Sequence, residues 1–568
     1  MLLSPRLVLT SEARRQLVDV AAGRAPADLL LRGGRVLNVY TGELVETAVG
    51  IAAGRIAWVG PETDRAARQV LELDGGTAVP GLIEPHCHPD VLYTPSALGA
   101  AIVSHGTTTA CADTAFLSLS LDDDALVEVL RGMERATVKF LWNLRNCLDG
   151  VLPQEVDLLQ ADRMVRLLDR VPGVVATGEM TAWPRLVDHD ARLRRFLDAA
   201  VERGLRIDGH AAGASPRTLG LIAAAGITAD HEAISAEELL ARLRLGYWIM
   251  LRHSSLRPDG PELAAGLREA GVATARVMLT TDGPVAADVV GEHLDGVVRR
   301  LIAAGFSPVE AVRMATLNPA TYLGLDAHLG GIAPGRCADL VVVDSLETFV
   351  PMMVLADGVP VSASSVTRGF TGWRELPARP LGQAELDEGR LADACQAGPV
   401  LQLQGIITRQ VSGRHAADGR SGDAACLALV GRSGEWIAGA TLLGLDIRAL
   451  ASSYTGSGDV LLVGRDPRSL VASYRRVVEL GGGLVTPDHE VPLRVLGGLY
   501  EGSVGELAAE LGRLTAGVRL TAPLEYLCLF ASLAVLPDVR LSPQGVVQVK
   551  TGRVLAPVRP LAVRTTRS

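Results

Sequence analysis

Short apolar runs alternate with helix-forming segments between residues 79 and 325, and this alternation restricts the possible folds more than any other feature. Eight of the runs have the length and composition of strands, and segments rich in Ala, Leu and Arg separate several of them. The eight candidate strands span residues 79–86, 107–112, 138–144, 174–179, 206–210, 227–231, 248–252 and 277–282. Their number and spacing predict an α/β fold of the TIM (β/α)8 barrel type.

A doubly wound parallel sheet is the rival architecture for such a pattern. Folds of that kind usually have a glycine-rich, phosphate-binding turn directly after the first strand. The sequence that follows the candidate strand 79–86 contains no such turn. We therefore expect the barrel.

The segments on both sides of the predicted barrel have the pattern of a small β domain. Short strands with glycine turns occur from residue 28 to residue 59, and strongly apolar strands return at residues 338–343 and 350–361. This spacing is typical of a β-sandwich or β-roll. We expect one composite β-sandwich domain, made of residues 1–78 and 326–375, with the barrel of residues 79–325 inserted between its two pieces.

The composition changes after residue 375, where a proline-containing stretch at residues 374–384 has the character of a linker. Residues 439–445, 460–464 and 527–535 have the pattern of strands and buried helices. We expect residues 380–568 to form a C-terminal α+β domain, whose order of elements periodicity alone does not determine.

Charge and cysteine content restrict the partners and the compartment. A net charge of −9, without a cluster of Lys and Arg, argues against binding to nucleic acid or anionic membrane. The seven cysteines are scattered and form no C-x-x-C pair, which is typical of reduced thiols. The longest apolar stretch is too short to cross a bilayer, and the N-terminus lacks a secretory h-region. We therefore expect a cytoplasmic protein.

Two histidines, His86 and His88, close the first candidate strand. Side chains two residues apart on a strand point in the same direction, so both imidazoles can reach one metal ion. An isolated H-x-H pair is equally well explained by two solvent-facing loop histidines. Active sites of TIM barrels lie at the C-terminal ends of the strands, and this position favours metal binding.

Four further candidate strands end in a possible metal ligand: Glu179, His210, His231 and Asp282. Each has an ordinary structural explanation alone, such as a helix cap or a hydrogen-bonded core histidine. With His86 and His88, however, four of the eleven histidines lie at strand ends, which chance explains poorly. Imidazole and carboxylate ligands suit Zn, Mn or Fe, and a carboxylate can bridge two ions. A bound metal lowers the pKa of its water, and Asp282 is the candidate to take the proton and pass it to the leaving group.

Longer motifs accompany these strand ends. One group lies at residues 80–88 (PGLIEPHCH), 105–109 (HGTTT), 318–320 (NPA) and 335–340 (GRCADL). A second lies at residues 178–180, 209–213, 230–232 and 291–295, and continues at 451–453, 481–483 and 536–537. By the first group the chain resembles the amidohydrolase superfamily, and by the second it resembles the bacterial adenine deaminases within that superfamily.

The resemblance covers nearly the whole chain and implies a specific chemistry. It implies a divalent transition-metal centre, binuclear and of the Mn, Fe or Zn type, held by the strand-end residues. The implied reaction is hydrolytic removal of the 6-amino group of adenine, which gives hypoxanthine and ammonia. We accordingly expect a small heterocyclic substrate and a homodimer.

The chain departs from the adenine deaminase pattern at four places. Asp113 is followed by Thr, Ala and Phe in place of Pro-His-Glu, and residues 252–255 are RHSS in place of Arg-Glu-Gly-Ser. Gly283 stands where a second Asp is usual, and residues 454–459 replace a His-Asp-Ser-His-Asn stretch. These changes remove polar groups that are expected to contact the purine or to complete the metal shell.

Arg252 and His253 are the candidate substrate contacts that remain near the seventh strand. Arg252 alternatively pairs with an acidic side chain, and His253 is alternatively a polar neighbour at the barrel mouth. Three functions stay open on the sequence: an adenine or aminopurine deaminase, another amidohydrolase acting on a cyclic amide or an N-acyl group, and a non-catalytic binding protein on the same scaffold.

Overall fold

The computed structural model describes residues 2–61, 64–147, 159–412, 424–533 and 536–563. Among these residues, none of the helices has both the length and the apolar character that crossing a bilayer requires.

Residues from both sides of the central region pair in one six-stranded sheet. Thr77–Pro80 pairs antiparallel with Leu340–Val343 and parallel with Arg35–Asn38. The strands of this sheet, in spatial order, are Val359–Pro360, Pro351–Ala356, Leu340–Val343, Thr77–Pro80, Arg35–Asn38 and Glu43–Glu46. The two sequence segments therefore share a sheet across the inserted region.

A second sheet packs against the first. Its strands, in order, are Arg55–Gly60, Ala48–Ala52, Ala27–Arg32 and Ala67–Glu72. Leu31 and Val49 of this sheet share a buried cluster with Val342 of the other sheet. The helix Ser11–Ala21, which Thr10 caps through the Ala13 amide, covers the outer face.

Seven parallel strands of the central region form two arcs. The first arc contains Leu82–Cys87, Thr107–Asp113, Lys139–Leu144 and Val174–Thr177, and the second contains Ala229–Asp230, Trp248–Arg252 and Val277–Thr280. A parallel bridge between Cys87 and Asp282 joins the arcs at one side. Most strand residues are buried on both faces, as expected where helices cover a parallel sheet.

The segment 206–210, which the sequence predicts as the fifth strand, forms only isolated bridges. Arg206 bridges Ala176 and Gly209 bridges Met180. The reason is local, because Asp208 binds the Gly209 amide with its own carboxylate at 2.9 Å. Side-chain bonds thus replace part of the ladder at this strand end.

Helices follow the central strands, and several begin at a serine whose hydroxyl accepts the amide three residues later. The central helices are Pro95–Ile102, Ala115–Ser120, Asp123–Gly132, Ala161–Arg170, Trp183–Val187, Ala191–Glu202, Pro216–Ala224, Ala236–Arg244, Gly260–Glu269, Ala286–Gly291, Leu294–Ala303, Pro308–Ala315 and Leu317–Leu323. Single 3-10 turns occur at Val103–His105, Met133–Arg135 and Val549–Thr551.

The C-terminal part is rich in sheet. Its main sheet contains, in order, Ile407–Val411, Val400–Gln404, Trp436–Leu443, Ala425–Val430, Val460–Gly464, Leu450–Ser452, Gly483–Val485 and Glu490–Pro492, and Arg559–Pro560 pairs with Trp436–Leu443. A three-stranded sheet contains Val539–Ser542, Gly545–Gln548 and Arg553–Pro557. The helices are Glu388–Ala397, Pro467–Leu480, Val504–Leu514 and Leu524–Ala531.

A buried ion pair fastens the central region to the flanking sheets. The Lys139 ammonium lies 2.7 Å from carboxylate oxygens of both Asp339 and Asp357. Asp357 also pairs with Arg6 near the N-terminus. Lys139 is 2% exposed, so removal of its partners would leave a buried, unpaired charge.

Candidate metal centre

His86 is completely buried at the end of the strand Leu82–Cys87. Its Nδ1 lies 2.8 Å from Asp208 Oδ2, and its Nε2 lies 3.4 Å from Asp282 Oδ1. Neither Nε2 of His86 nor Oδ1 of Asp282 has a hydrogen-bond partner within the described chain. Buried polar atoms are rarely left unsatisfied, so this pair of atoms points to a group that binds between them.

His88 approaches the same point from the neighbouring position on the chain. Its Nε2 lies 3.3 Å from Asp282 Oδ1 and 3.7 Å from Glu179 Oε1. The rings of His86 and His88 are nearly perpendicular, with centroids 5.2 Å apart. Their ring nitrogens therefore converge on the space between Asp282 and Glu179.

Glu179 also faces two histidines from the following strand ends. Its Oε2 lies 2.8 Å from His210 Nδ1 and 3.2 Å from His231 Nε2. His210 and His231 are themselves 3.3 Å apart through these nitrogens. Two triads thus have Glu179 in common, and within each triad the possible ligand atoms lie within 4.8 Å of one another: His86–His88–Glu179 and Glu179–His210–His231.

The donor set fits a divalent transition metal. Imidazole nitrogens and carboxylate oxygens suit Zn, Mn and Fe, and buried unpaired donors remain for an ion to satisfy. A shared carboxylate between two histidine-containing triads is the arrangement that two neighbouring ions require. The structure brings together all six residues that the sequence predicts for the centre, although their roles stay predictions.

Arg145, which the sequence interpretation missed, binds the shared carboxylate. It follows the strand Lys139–Leu144 directly, and its guanidinium lies 2.5 Å from Glu179 Oε1 and 3.4 Å from Asp113 Oδ2. Burial raises the pKa of Glu179, but Arg145 and the histidines more than offset that effect, and its pKa lies well below the usual range. Glu179 is therefore held as a carboxylate.

Arg252 bridges two further carboxylates at the end of its strand. One of its terminal nitrogens lies 2.6 Å from Glu232 Oε1 and 2.8 Å from Asp282 Oδ2. Its Nε is buried and has no partner within the described residues. Arg252 thus holds Asp282 in place and retains an Nε donor without a partner among the described residues. Glu232 belongs to the motif at residues 230–232, although the sequence did not identify it as a partner of Arg252.

Asp282 has an unusual backbone as well as a crowded side chain. Its φ of 64° lies in the left-handed region, and the His88 amide donates to its carbonyl at 2.9 Å. Burial raises the pKa of Asp282, but Arg252 and the histidines outweigh burial, so the pKa lies well below its ordinary value. The carboxylate is consequently charged.

The other candidate contact, His253, is not brought into the centre. Its side chain lies against Gly260, and its Nδ1 is buried without a partner in the described residues. Burial and the nearby charge of Arg300 lower its pKa. His253 directly follows the strand Trp248–Arg252, and its amide still bonds the Thr280 carbonyl at 3.0 Å, so its side chain faces away from that of Arg252 as on an extended chain.

The remaining histidines and cysteines near the site have structural surroundings. His293 bonds Thr107 and Thr281 through its two ring nitrogens, and burial lowers its pKa to about 3. His105 contacts the Val289 carbonyl. Burial raises the pKa of the Cys87 and Cys111 thiols, which therefore stay protonated.

A second cluster, Cys337, Asp339 and Asp357, also has ligand spacing. The Lys139 ammonium already occupies the position between its two carboxylates. This cluster is therefore an ion pair that joins the central region to the flanking sheets.

Comparison with known proteins agrees with the donor set. The model of the Amidohydrolase family matches residues 77–362, which cover half of the chain and contain the whole candidate centre. The Adenine deaminase C-terminal domain model matches residues 404–553. The chain therefore belongs to the amidohydrolase family.

Curated relatives narrow the comparison to one group within the family. The adenine deaminase of Deinococcus deserti is 33% identical and covers 96% of this chain and 98% of its own length. The adenine deaminase of Methanothrix thermoacetophila is 32% identical over 94% of this chain and 97% of its length. YerA of Bacillus subtilis (strain 168), named as a candidate adenine deaminase, is 30% identical over 96% and 97%. The predicted resemblance to the adenine deaminases is confirmed.

Proposed function

We propose that this protein is a metal-dependent hydrolase that removes the 6-amino group of adenine or of a closely related aminopurine. The observation that carries the proposal is the convergence of four histidines and two carboxylates, with the buried His86 Nε2 and Asp282 Oδ1 left for an ion. Similarity to adenine deaminases over almost the full chain supports the purine substrate. The reaction class is hydrolysis of a C–N bond outside peptides.

The proposed scaffold is a TIM (β/α)8 barrel of residues 79–325 with two further domains. The two parallel arcs and the Cys87–Asp282 bridge support the barrel, with segment 206–210 as its fifth strand. The pairing of Thr77–Pro80 with Leu340–Val343 supports a composite β-sandwich of residues 1–78 and 326–375. Residues 380–568 are proposed to form the C-terminal α+β domain.

The metal ligands in this proposal are His86, His88, Glu179, His210 and His231, with Asp282 beside them. Manganese, iron or zinc fits the donors, and the shared Glu179 supports a binuclear centre. When bound, such an ion lowers the pKa of water and polarises the bond that is hydrolysed.

Asp282 is the proposed catalytic acid–base group. Its Oδ1 faces both His86 and His88 and has no hydrogen-bond donor within the described residues, so it can accept a proton from the attacking water. The same carboxyl can then deliver that proton to the leaving amino group. Arg252 holds the second oxygen of Asp282 at 2.8 Å and so fixes the direction of the first.

Arg252 is also the proposed substrate contact, because its Nε has no acceptor. A ring nitrogen or a carbonyl oxygen of a heterocycle would satisfy that donor. The proposed contact of His253 with the substrate has no comparable support, since its side chain lies against Gly260.

A second candidate function is hydrolysis of a cyclic amide or an N-acyl group. One observation favours it. Asp113, after which the chain departs from the adenine deaminase motif, accepts hydrogen bonds from Arg145 and from the Ala115 amide. The second strand end thus stabilises the protein interior and contributes no free polar group to purine binding. The binding-protein alternative lacks this kind of support, because all six residues of the centre are present.

The test is turnover by protein purified from metal-supplemented medium. Adenine should give hypoxanthine and one equivalent of ammonia, measured by loss of absorbance at the adenine maximum and by an ammonia assay. Turnover of a cyclic amide without any change in adenine would refute the deaminase proposal and support the second candidate. The expected homodimer and the cytoplasmic location stay predictions, which light scattering and cell fractionation test.

A further inference from the structure

The loop that follows Asp282 is held in a conformation that it would not adopt alone. Asp282 has a φ of 64°, a region that non-glycine residues seldom occupy. Such a backbone persists only where surrounding contacts determine it. The loop connects the strand Val277–Thr280 to the short helix Ala286–Gly291, and it carries the carboxylate that faces the metal ligands.

One contact to this loop comes from the C-terminal domain. The Tyr526 hydroxyl donates a hydrogen bond to the Gly283 carbonyl, directly after Asp282. Tyr526 belongs to the helix Leu524–Ala531, which lies far from the loop in sequence.

The central region holds the loop from the other side. The Tyr93 hydroxyl donates to the Pro284 carbonyl at 2.6 Å, and the His88 amide donates to the Asp282 carbonyl at 2.9 Å. Tyr93 in turn bridges Tyr500 of the C-terminal domain. Three consecutive carbonyls, those of Asp282, Gly283 and Pro284, are therefore each bound by a different residue.

The Tyr526 side chain is enclosed by the protein. Tyr526 is 5% exposed and stacks on Phe530, with ring centroids 5.8 Å apart. A buried hydroxyl that meets one backbone carbonyl acts on orientation more than on surface coverage, because its removal leaves that carbonyl unsatisfied.

We propose that Tyr526 is a positioning residue: through the Gly283 carbonyl, the C-terminal domain fixes the direction of the Asp282 carboxylate. This inference rests on the proposed function, in which Asp282 moves the proton. It assigns to the C-terminal domain a part in the reaction of the central region, which Tyr526 plays through the backbone of Gly283.

The test compares Tyr526→Phe with a matched control, Tyr474→Phe. The Tyr474 hydroxyl is buried in the same domain and bonds backbone groups of Gly382 and Ala384, away from the site. A shift of a reacting group by about 1 Å can cost about 100-fold in rate. We expect Tyr526→Phe to lower kcat about 10-fold to 100-fold with KM and bound metal nearly unchanged, and Tyr474→Phe to leave kcat unchanged.

Hydrogen–deuterium exchange of the peptide containing residues 280–290 gives a readout that needs no activity. Faster exchange in Tyr526→Phe, and not in Tyr474→Phe, supports the proposal. This readout is independent of activity: failure of the wild type to deaminate adenine would refute only the proposed function. Unchanged exchange in Tyr526→Phe, or an equal loss of kcat in both variants, would overturn the proposal.

Discussion

Replacement of Asp208 with asparagine changes the proton position on His86 without a change of size. In the structure Asp208 Oδ2 meets His86 Nδ1 at 2.8 Å, while Oδ1 accepts the Gly209 amide at 2.9 Å. A carboxylate only accepts hydrogen bonds, so His86 donates from Nδ1 and its Nε2 is free to bind metal. In the variant the amide oxygen stays with Gly209, and the NH2 group faces Nδ1. The proton is then favoured on Nε2, the nitrogen that faces the centre.

The expected loss in metal affinity follows from this tautomer conflict. Partners that orient a metal-binding histidine typically contribute about 10-fold to 100-fold in affinity. Such a change corresponds to about 1.4 to 2.7 kcal/mol. Competition with a chromophoric chelator for Mn or Zn measures the dissociation constant directly, and far-ultraviolet circular dichroism checks that the variant is folded.

Asp339→Asn is the matched control for this experiment. Asp339 is also a buried carboxylate, but its partner is Lys139 at the junction with the flanking sheets. The control should lose stability and retain wild-type metal affinity. Wild-type affinity in Asp208→Asn would refute the assignment of His86 as a ligand through Nε2.

Three other predictions concern charged groups with separate functions. Arg252→Met should lower kcat/KM about 100-fold and raise the pKa of Asp282, because the cation that stabilises the carboxylate is removed. The acidic limb of the pH–rate profile should therefore move to higher pH, and an unchanged acidic limb would contradict the pairing of Arg252 with Asp282. Burial raises the pKa of Asp459 to about 6 from 3.8, so the free energy of unfolding should decline as pH rises from about 4 to about 6. Urea unfolding of Asp459→Asn should show no such decline. A parallel decline in the variant would exclude Asp459 as its source. Lys139→Met should cost about 3–5 kcal/mol in unfolding free energy while bound metal stays unchanged, and additional bound metal would show that the Cys337 cluster binds an ion once the ammonium is removed.

Strand ends were predictable because apolar runs of four to eight residues stand out from polar surroundings. The strand Trp248–Arg252 has the predicted bounds, and Lys139–Leu144 differs by one residue. The segment 206–210 was predicted as a strand from its apolar residues, yet the Asp208 carboxylate takes the Gly209 amide. Hydrophobic periodicity does not indicate where a side chain competes with the ladder for backbone hydrogen bonds.

The metal centre was predictable for the same reason as the strands, since its residues lie at the C-terminal ends of the apolar runs. These residues are His86, His88, Glu179, His210, His231 and Asp282. Their partners were not predictable in this way. Arg145 and Asp208 each form a hydrogen bond to a residue of the centre, Glu179 and His86 respectively, and the fold must bring residues distant in sequence together before such bonds can form.

The contact between the C-terminal domain and the site could also not be predicted from the sequence. Tyr526 lies in an apolar segment whose pattern fits either a strand or a buried helix. Its hydroxyl becomes informative only when the fold brings it to the Gly283 carbonyl. Contacts between distant segments of this kind require the three-dimensional arrangement.

Metal-dependent ammonia release is the measurement that tests the central claim most directly. Protein stripped by a chelator should release no ammonia from adenine, and stepwise addition of Mn, Fe or Zn should restore release in proportion to bound metal. His86→Ala should bind less metal and remain inactive at every step. Full activity of the metal-free protein, or stoichiometric metal binding with no ammonia from any aminopurine, would contradict the account.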